Sequence, residues 1–187
     1  MASENVQSKR VGDLQYEIKT RIVKKGQRDG INYQNDVLYI DYEVKNLGDK
    51  NYLVFNQGHN DKDDRNVVYV EPQSDSSIEL SQKAFVQPRD KNCPLYDAPI
   101  LPRAAWLKAR QTVKNQVSVE LPLKFKTPFA DCSPQPEMPK ESKTVRFCLG
   151  VAEADPKTVK VGNDGSFQDM EAVKKQQVLC SESINLK

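Results

Sequence analysis

The stretch that decides the fold runs from residue 38 to residue 55 and reads Leu-Tyr-Ile-Asp-Tyr-Glu-Val-Lys-Asn-Leu-Gly-Asp-Lys-Asn-Tyr-Leu-Val-Phe. Apolar and charged residues alternate in its first half, which is typical of a β-strand with one buried face. The segment Asn46 to Asp49 combines a glycine with polar residues that favour a turn. We therefore predict a hairpin whose second strand contains Tyr52 to Phe55.

The same alternation predicts strands elsewhere in the chain. The first of them carries Leu14, Tyr16, Ile18 and Ile22 on one face. About eight short strands separated by turn residues predict an all-β antiparallel sandwich. The further predicted strands are 67–70, 78–80, 84–86, 117–125, 145–151 and 177–181. The predicted core contains Tyr16, Ile18, Ile40, Tyr42, Val54, Val119, Leu121, Phe147 and Leu149, because a register slip would turn all of them outward.

Helical signals are few and lie in loops. Pro102 followed by residues 103–110 predicts two helical turns, since proline suits the first helical position. Ser166 and Asp169 have the spacing of a capping box and predict a second short helix. Residues 1–12 show little apolar periodicity and are predicted to form a flexible tail. The rest, 13–187, is predicted to form a single domain with long loops.

Three segments together resemble bacterial cell-envelope immunoglobulin-like domains. They are the stretch quoted above, Val117-Ser-Val-Glu-Leu-Pro-Leu, and Val145-Arg-Phe-Cys-Leu-Gly-Val-Ala. The resemblance implies an immunoglobulin-like sandwich and an envelope location, and it transfers no active-site residue. The chain departs from antibody domains because Trp106 does not lie between two cysteines at the expected strand positions.

Charge and hydropathy narrow the classes of partner. The formal net charge of the 187 residues is +2, and basic residues are interspersed with acidic ones, which argues against nucleic acid as the partner. No apolar run approaches the ~20 residues that span a bilayer, so no transmembrane segment is predicted. The start also lacks the pattern of a signal peptide, and we interpret it as a mature secreted chain whose precursor could have carried a lipid anchor.

Four cysteines are spread along the chain without a CxxC pair, which excludes zinc-ribbon and thioredoxin motifs. Their even number predicts disulfides and a periplasmic or extracellular location, with four reduced cysteines in a cytosolic protein as the alternative. Three pairings are possible. If the last two long strands are antiparallel neighbours, a register that opposes Gly150 to Val178 also opposes Cys148 to Cys180. Cys93 would then pair with Cys132 and tie two proline-rich loops together.

The sequence carries no recognisable catalytic or cofactor motif. Its single histidine, His59, stands among hydrophilic turn residues, and we predict a surface side chain rather than a catalytic base. A calcium site would use several oxygen ligands from one loop, and this loop contains Asp61, Asp63 and Asp64. The positions that hold glycine and glutamate in a calcium-binding loop do not match, however. We therefore predict a solvated turn there, and neither a metal nor a cofactor.

These observations favour a non-enzymatic module that binds another protein through its loops or an edge strand. The candidate partner-binding residues are Trp106, Tyr96, Phe129 and Leu95, with loop packing as the alternative role. Lysines flanking the second loop could steer an acidic partner or be simply solvated; they are Lys124, Lys126, Lys140 and Lys143. Two other functions stay open. One is an inhibitor or immunity protein that inserts the Cys93 or Cys132 loop into an active site. The other is a hydrolase that uses Asp131 with Glu137, or Glu153 with Asp155.

Overall fold

The computed structural model describes residues 5–28, 30–59, 64–88, 93, 99–132, 135–140, 143–167 and 169–186. Strands dominate these residues, and one short helix follows the eleventh strand. The elements are β1 (Asn5–Val11), β2 (Leu14–Val23), β3 (Gly26–Arg28), β4 (Ile31–Tyr33), β5 (Asp36–Asn46), β6 (Tyr52–Val54), β7 (Tyr69–Pro72), β8 (Ile78–Gln82), β9 (Ala105–Leu107), β10 (Thr112–Leu121), β11 (Thr144–Glu153), α1 (Met170–Lys174), β12 (Gln177–Cys180) and β13 (Ile184–Asn185).

Two sheets form a sandwich. Sheet 1 has the order β1-β2-β5-β10, and all of its neighbours are antiparallel. Sheet 2 is built around β11, which pairs with β8 and β6 and also with β12 and β13. β7 extends sheet 2 beyond β8, and β9 extends it beyond β6. The all-β sandwich predicted from the alternation is therefore confirmed, and the immunoglobulin-like assignment stays a prediction.

The main core lies between the two sheets. It takes the inward-facing residues of both, among them Ile18, Ile40, Phe147 and Leu149. Tyr42 packs against Phe147 with ring centroids 5.5 Å apart. Burial of these side chains on one face of each strand follows the alternation in the sequence. Two members of the predicted core, Val119 and Leu121 at the end of β10, are only half-buried.

A second, smaller core covers the outer face of sheet 2. Leu53 and Ala152 point outward from β6 and β11 and pack against Phe167 and Val173. Asp169 caps α1 by accepting hydrogen bonds from the backbone N–H groups of Glu171 and Ala172. The predicted second helix is therefore present, with Asp169 as its N-cap. It closes this second core.

Three predictions about local structure were wrong. Residues 5–11 are not a flexible tail, because they form β1 and pair with β2 along its length. Residues 105–107 form β9 instead of a helix, because Trp106 lies opposite Leu53 and the chain completes an edge of sheet 2. The segment 84–86 is not a strand, since Ala84 pairs with the side-chain amide of Gln176 through both its N–H and its C=O.

Two predictions about strand pairing were also wrong. The turn at Asn46 does not close a hairpin, because β2 and β10 already occupy both edges of β5 and the chain crosses to sheet 2. The sandwich is not antiparallel throughout, since β8 and β11 pair in parallel from Val145 opposite Ile78 to Leu149 opposite Gln82. Parallel neighbours require a long connection, and here that connection passes through β10 in the other sheet.

The disulfides follow the predicted pairing. Cys148 lies opposite Cys180 in the antiparallel register of β11 and β12, and the two are bonded. Cys93 is bonded to Cys132. Each bridge joins segments that are distant in sequence, and such links stabilise mainly by restricting the unfolded chain. Two disulfides are typical of proteins outside the cytoplasm.

Candidate functional site: a groove beside β10

A groove of about 610 Å³ opens between the sheets along β10. One wall is the end of β10, where Val119 and Leu121 face inward. The other wall contains Val70 of β7 and Val68 just before it, and half-buried Phe125 also lines the groove. The valines Val68, Val70 and Val119 belong to or pack against the main core, and polar side chains such as Asn35, Asp64 and Asn66 form the rest of the lining.

The groove exists because the two facing edges differ in length. β10 has 10 residues, whereas β7, at the corresponding edge of sheet 2, has 4. After β10 the chain returns to β7, where Lys126 and Val70 exchange two backbone hydrogen bonds of 2.8 and 3.0 Å. This contact occupies the edge of β7 and leaves the inward residues at the end of β10 without a strand above them. Val119 and Leu121 are half-buried for that reason.

A series of buried hydrogen bonds holds the wall of the groove in place beside Asn66. The Tyr42 hydroxyl donates to Oε1 of Gln82 at 2.6 Å, and Nε2 of Gln82 donates to the carbonyls of Asn56 and Val67. Burial raises the pKa of Tyr42 to about 12, so the hydroxyl keeps its proton at neutral pH. Because Gln82 holds the backbone before β7, the groove wall is attached to both sheets.

This series of hydrogen bonds ends near the surface at Asn115 of β10. Its Nδ2 lies 3.4 Å from the Tyr42 hydroxyl and 3.3 Å from Oδ1 of Asn66. Asn115 is half-buried, and Asn66 is exposed and lines the groove. Polar groups around a partly apolar groove are typical of protein-binding surfaces.

The free edge of β10 presents a regular set of backbone groups. The N–H of Asn46 in β5 donates to the carbonyl of Gln111, so odd-numbered residues of β10 direct their backbone groups towards β5. The N–H of Gln116 donates instead to the side chain of Asn115, consistent with even-numbered residues facing away from β5. Within the described part of the chain, β10 is the last strand of its sheet. Even-numbered amides from Thr112 to Glu120 thus point to the open side.

The groove lining carries two lysines and two carboxylates. Lys124 and Lys126 are exposed, and neither forms an ion pair with another described residue. Asp64 and Glu120 are also exposed, and Glu120 accepts a 3.2 Å hydrogen bond from the neutral amide of Asn35. Charges of both signs are therefore accessible to a bound molecule. Lys140 and Lys143 are also exposed, but they do not line the groove.

The single histidine is buried, and the prediction of a surface side chain was wrong. His59 has 0% exposure, its Nδ1 lies 2.6 Å from the Tyr69 hydroxyl, and its Nε2 accepts from the N–H of Phe85. The neutral ring therefore carries its hydrogen on Nδ1. Burial lowers the pKa of His59 to about 4, and the charge of Arg103 acts in the same direction.

The two predicted partner-binding residues that the structure describes, Trp106 and Phe129, are not exposed anchors. Phe129 is buried, with its ring 6.4 Å from that of His59, so it is not an exposed anchor and loop packing is its role. Trp106 is half-buried in β9 and packs against the second core. Leu95 and Tyr96 lie outside the described residues. The groove was missed because no sequence signal marks β10 as an edge strand.

The predicted carboxylate pairs are not part of the groove beside β10. Glu153 forms an ion pair with Lys50 at 2.7 Å, and Asp155 accepts from the N–H of Lys157 in a turn. These two carboxylates line one shallow pocket with Asp169, the cap of α1. Asp131 and Glu137 are exposed. Asp61 and Asp63 of the acidic turn lie outside the described residues.

One cluster brings potential metal ligands together within the described residues. The carboxylate of Glu79 and the sulfurs of Cys148 and Cys180 lie within 4.8 Å of one another. The two sulfurs are bonded to each other, so they are not thiolate ligands. Glu79 is held by the ammonium of Lys83 at 2.7 Å. This cluster is best described as an ion pair beside a disulfide.

Comparisons with known proteins add no assignment. No protein-family model matches the chain, and no curated protein and no solved structure does. The described part of the chain contains no helix with the length and hydropathy required to cross a bilayer.

Proposed function

We propose that the protein is a non-enzymatic binding module of the periplasm or the extracellular space, and that it binds another protein at the groove beside β10. One observation carries the proposal: among the described residues, a ten-residue strand has a free edge directly beside a groove lined by apolar and polar side chains. A free edge presents unpaired N–H and C=O groups that readily pair with another chain. Apolar groups that continue a core to the surface are a common feature of interaction sites.

The roles of the carboxylates support binding over hydrolysis. A carboxylate pair that cleaves a glycosidic bond needs one acid and one base facing a shared substrate. Glu153 and Asp155 instead hold Lys50 and a tight turn. The buried His59 also joins Tyr69 of β7 to Phe85 in the segment after β8, and the residue has 0% exposure.

The cysteines support the proposed compartment. Bonds such as Cys93–Cys132 and Cys148–Cys180 persist in oxidising environments and are rare in the cytosol. A binding module in the periplasm or outside the cell would meet partners exported by the same route. This supports a role in an envelope assembly, for example as an accessory of a secretion or adhesion system.

Site-specific photo-crosslinking in cells tests the proposal. A photoreactive amino acid replaces Lys124 at the groove, and in a matched control it replaces Lys157, which is exposed and does not line the groove. The proposal expects one protein crosslinked from position 124 and not from position 157. No crosslinked protein at 124, or the same products from both positions, would contradict it.

A further inference from the structure

We propose that two copies of this chain pair along the free edges of β10, antiparallel about a two-fold axis at Val117. The pairing would join the two copies of sheet 1 into one continuous sheet. It goes beyond the proposed function, because it concerns the protein before another protein binds. Since both events use the same edge, the two copies have to separate before another protein binds there.

The backbone of β10 permits this pairing. Odd-numbered residues of the strand direct their N–H and C=O groups towards β5, so those of Lys114, Ser118 and Glu120 point to the open edge. The N–H of Gln116 is excluded from the pairing, because it already donates to the side chain of Asn115 at 2.9 Å. The edge therefore offers a carbonyl at every even-numbered position and an N–H at each of these positions except Gln116.

The charges of the strand select one register. β10 contains one cation and one anion, Lys114 and Glu120. With the two-fold axis at Val117, Lys114 lies opposite the partner's Glu120 at both ends of the paired segment. With the axis moved by one residue, to Gln116 or Ser118, Lys114 lies opposite a serine or a proline, and no opposite charges meet. β10 is therefore complementary to itself, which a contact between two identical surfaces requires.

The neighbours of these two charges within one copy leave both able to accept a further partner. Lys114 and Lys45 share the carboxylate of Glu43, at 2.5 and 2.8 Å. Glu120 accepts a hydrogen bond from the neutral amide of Asn35, and it forms no ion pair with another described residue. The pairing would give Lys114 a second carboxylate and Glu120 an ammonium group.

The inward face of β10 also matches itself in this register. Val117 lies opposite Val117 of the second copy, and half-buried Val113 lies opposite the partner's Leu121, which is half-buried too. Cross-strand apolar pairs remove such surface from water. Asn115 lies opposite the partner's Val119, and this is the one inward pair that combines a polar with an apolar side chain.

The charges of the groove favour a second copy over a segment of one charge sign. Lys124 and Lys126 line the groove together with Asp64 and Glu120, and all four side chains are exposed. An acidic segment would meet the two carboxylates, and a basic segment would meet the two ammonium groups. A copy related by a two-fold axis presents both signs to both signs. The formal net charge is only +2, so long-range repulsion between copies is weak.

The experiment measures the mass of the full, disulfide-bonded chain by sedimentation velocity over a series of concentrations. We expect the average mass to rise from one chain towards two. Lys114→Glu and Glu120→Lys, each alone, place like charges opposite each other twice and should weaken association about tenfold or more. An equimolar mixture of the two variants should restore association, because every pair across the axis is then of opposite charge. The control, Lys157→Glu, changes an exposed lysine outside the groove and should have no effect.

Amide hydrogen exchange locates the contact on the unaltered chain. When the concentration rises, the N–H groups of Lys114, Ser118 and Glu120 should exchange more slowly, because each becomes hydrogen-bonded to the second copy. The N–H groups of α1, on the outer face of sheet 2, should exchange at the same rate at both concentrations. This measurement does not depend on the folding of any variant.

The outcomes separate this inference from the proposed function. A chain that stays monomeric at the highest soluble concentration would overturn the dimer, and so would a dimer in which exchange of the β10 amides is unchanged. Single variants that associate like the unaltered chain, or a mixture that does not recover, would overturn the register. Crosslinking of a different protein from position 124 requires no dimer, so the proposed function is tested independently.

Discussion

Lowering the pH from about 6.5 towards 4 should destabilise the protein through protonation of His59. The pKa of His59 is about 4 in the folded chain, against an ordinary value of 6.5. The unfolded chain therefore binds more protons between these values, and stability falls as the pH falls. The stabilisation is fully present above about pH 6.5 and is lost progressively as the pH approaches 4.

The magnitude follows from the difference between the two pKa values. The interval from 6.5 to about 4, at about 1.4 kcal/mol for each pH unit, gives about 3.5 kcal/mol in total. About 2 kcal/mol of this should be lost between pH 7.5 and pH 5. The carboxylates with lowered pKa values, such as Asp36 and Glu43, change the stability mainly below pH 5, because their ordinary pKa values are 3.8 and 4.5.

The assay is urea unfolding at a series of pH values between about 7.5 and 5. His59→Gln serves as the control, because an amide keeps a polar side chain at this position and does not titrate. We expect the free energy of unfolding of the wild-type chain to fall by about 2 kcal/mol while that of the variant stays nearly flat. A flat wild-type profile would refute the buried neutral histidine, and an equal slope in the variant would assign the effect to other groups.

Three further changes test the packing. Tyr42→Phe leaves Oε1 of Gln82 without its 2.6 Å donor, and the free energy of unfolding should fall by about 1–3 kcal/mol in urea titrations; an unchanged value would contradict the series of buried hydrogen bonds. Gly150→Ala adds a Cβ 3.0 Å from Cα of Lys83 and against the Gln176 amide, so calorimetry should show a lower Tm, whereas an equal or higher Tm would mean that both neighbours give way. Replacing Cys148 and Cys180 together by alanine should cost about 2–4 kcal/mol, and peptide mapping without reduction should find the Cys93–Cys132 link intact in that variant.

The sequence predicted the inward faces of the long strands because alternation depends only on neighbouring residues. It also predicted the Cys148–Cys180 register, since opposing one residue pair in an antiparallel ladder fixes the others. The turn at Asn46 was misread because a hairpin and a crossover use the same turn residues. The difference lies in β10, which is distant in sequence and occupies the edge that a hairpin partner would need.

The candidate site could not be predicted from local sequence patterns for the same reason, because it depends on residues that are distant in sequence. Val119 and Leu121 have the pattern of core residues, and their partial exposure depends on the shortness of β7, about fifty residues earlier in the chain. His59 was placed on the surface because its neighbours in sequence are hydrophilic. It is buried because Phe85 and Phe129 pack around its ring from other segments.

The central position of β11 has a consequence for the order of folding. All four strands of sheet 1 are complete once residue 121 has emerged, whereas sheet 2 lacks its central strand until residues 144–153 follow. Chains emerge from the N-terminus during synthesis and export, so we expect sheet 1 to form with its apolar face still uncovered. The parallel pairing of β8 with β11 spans more than sixty residues and is intrinsically slow to close. Sheet 2 would therefore cover that face completely only when β11 arrives.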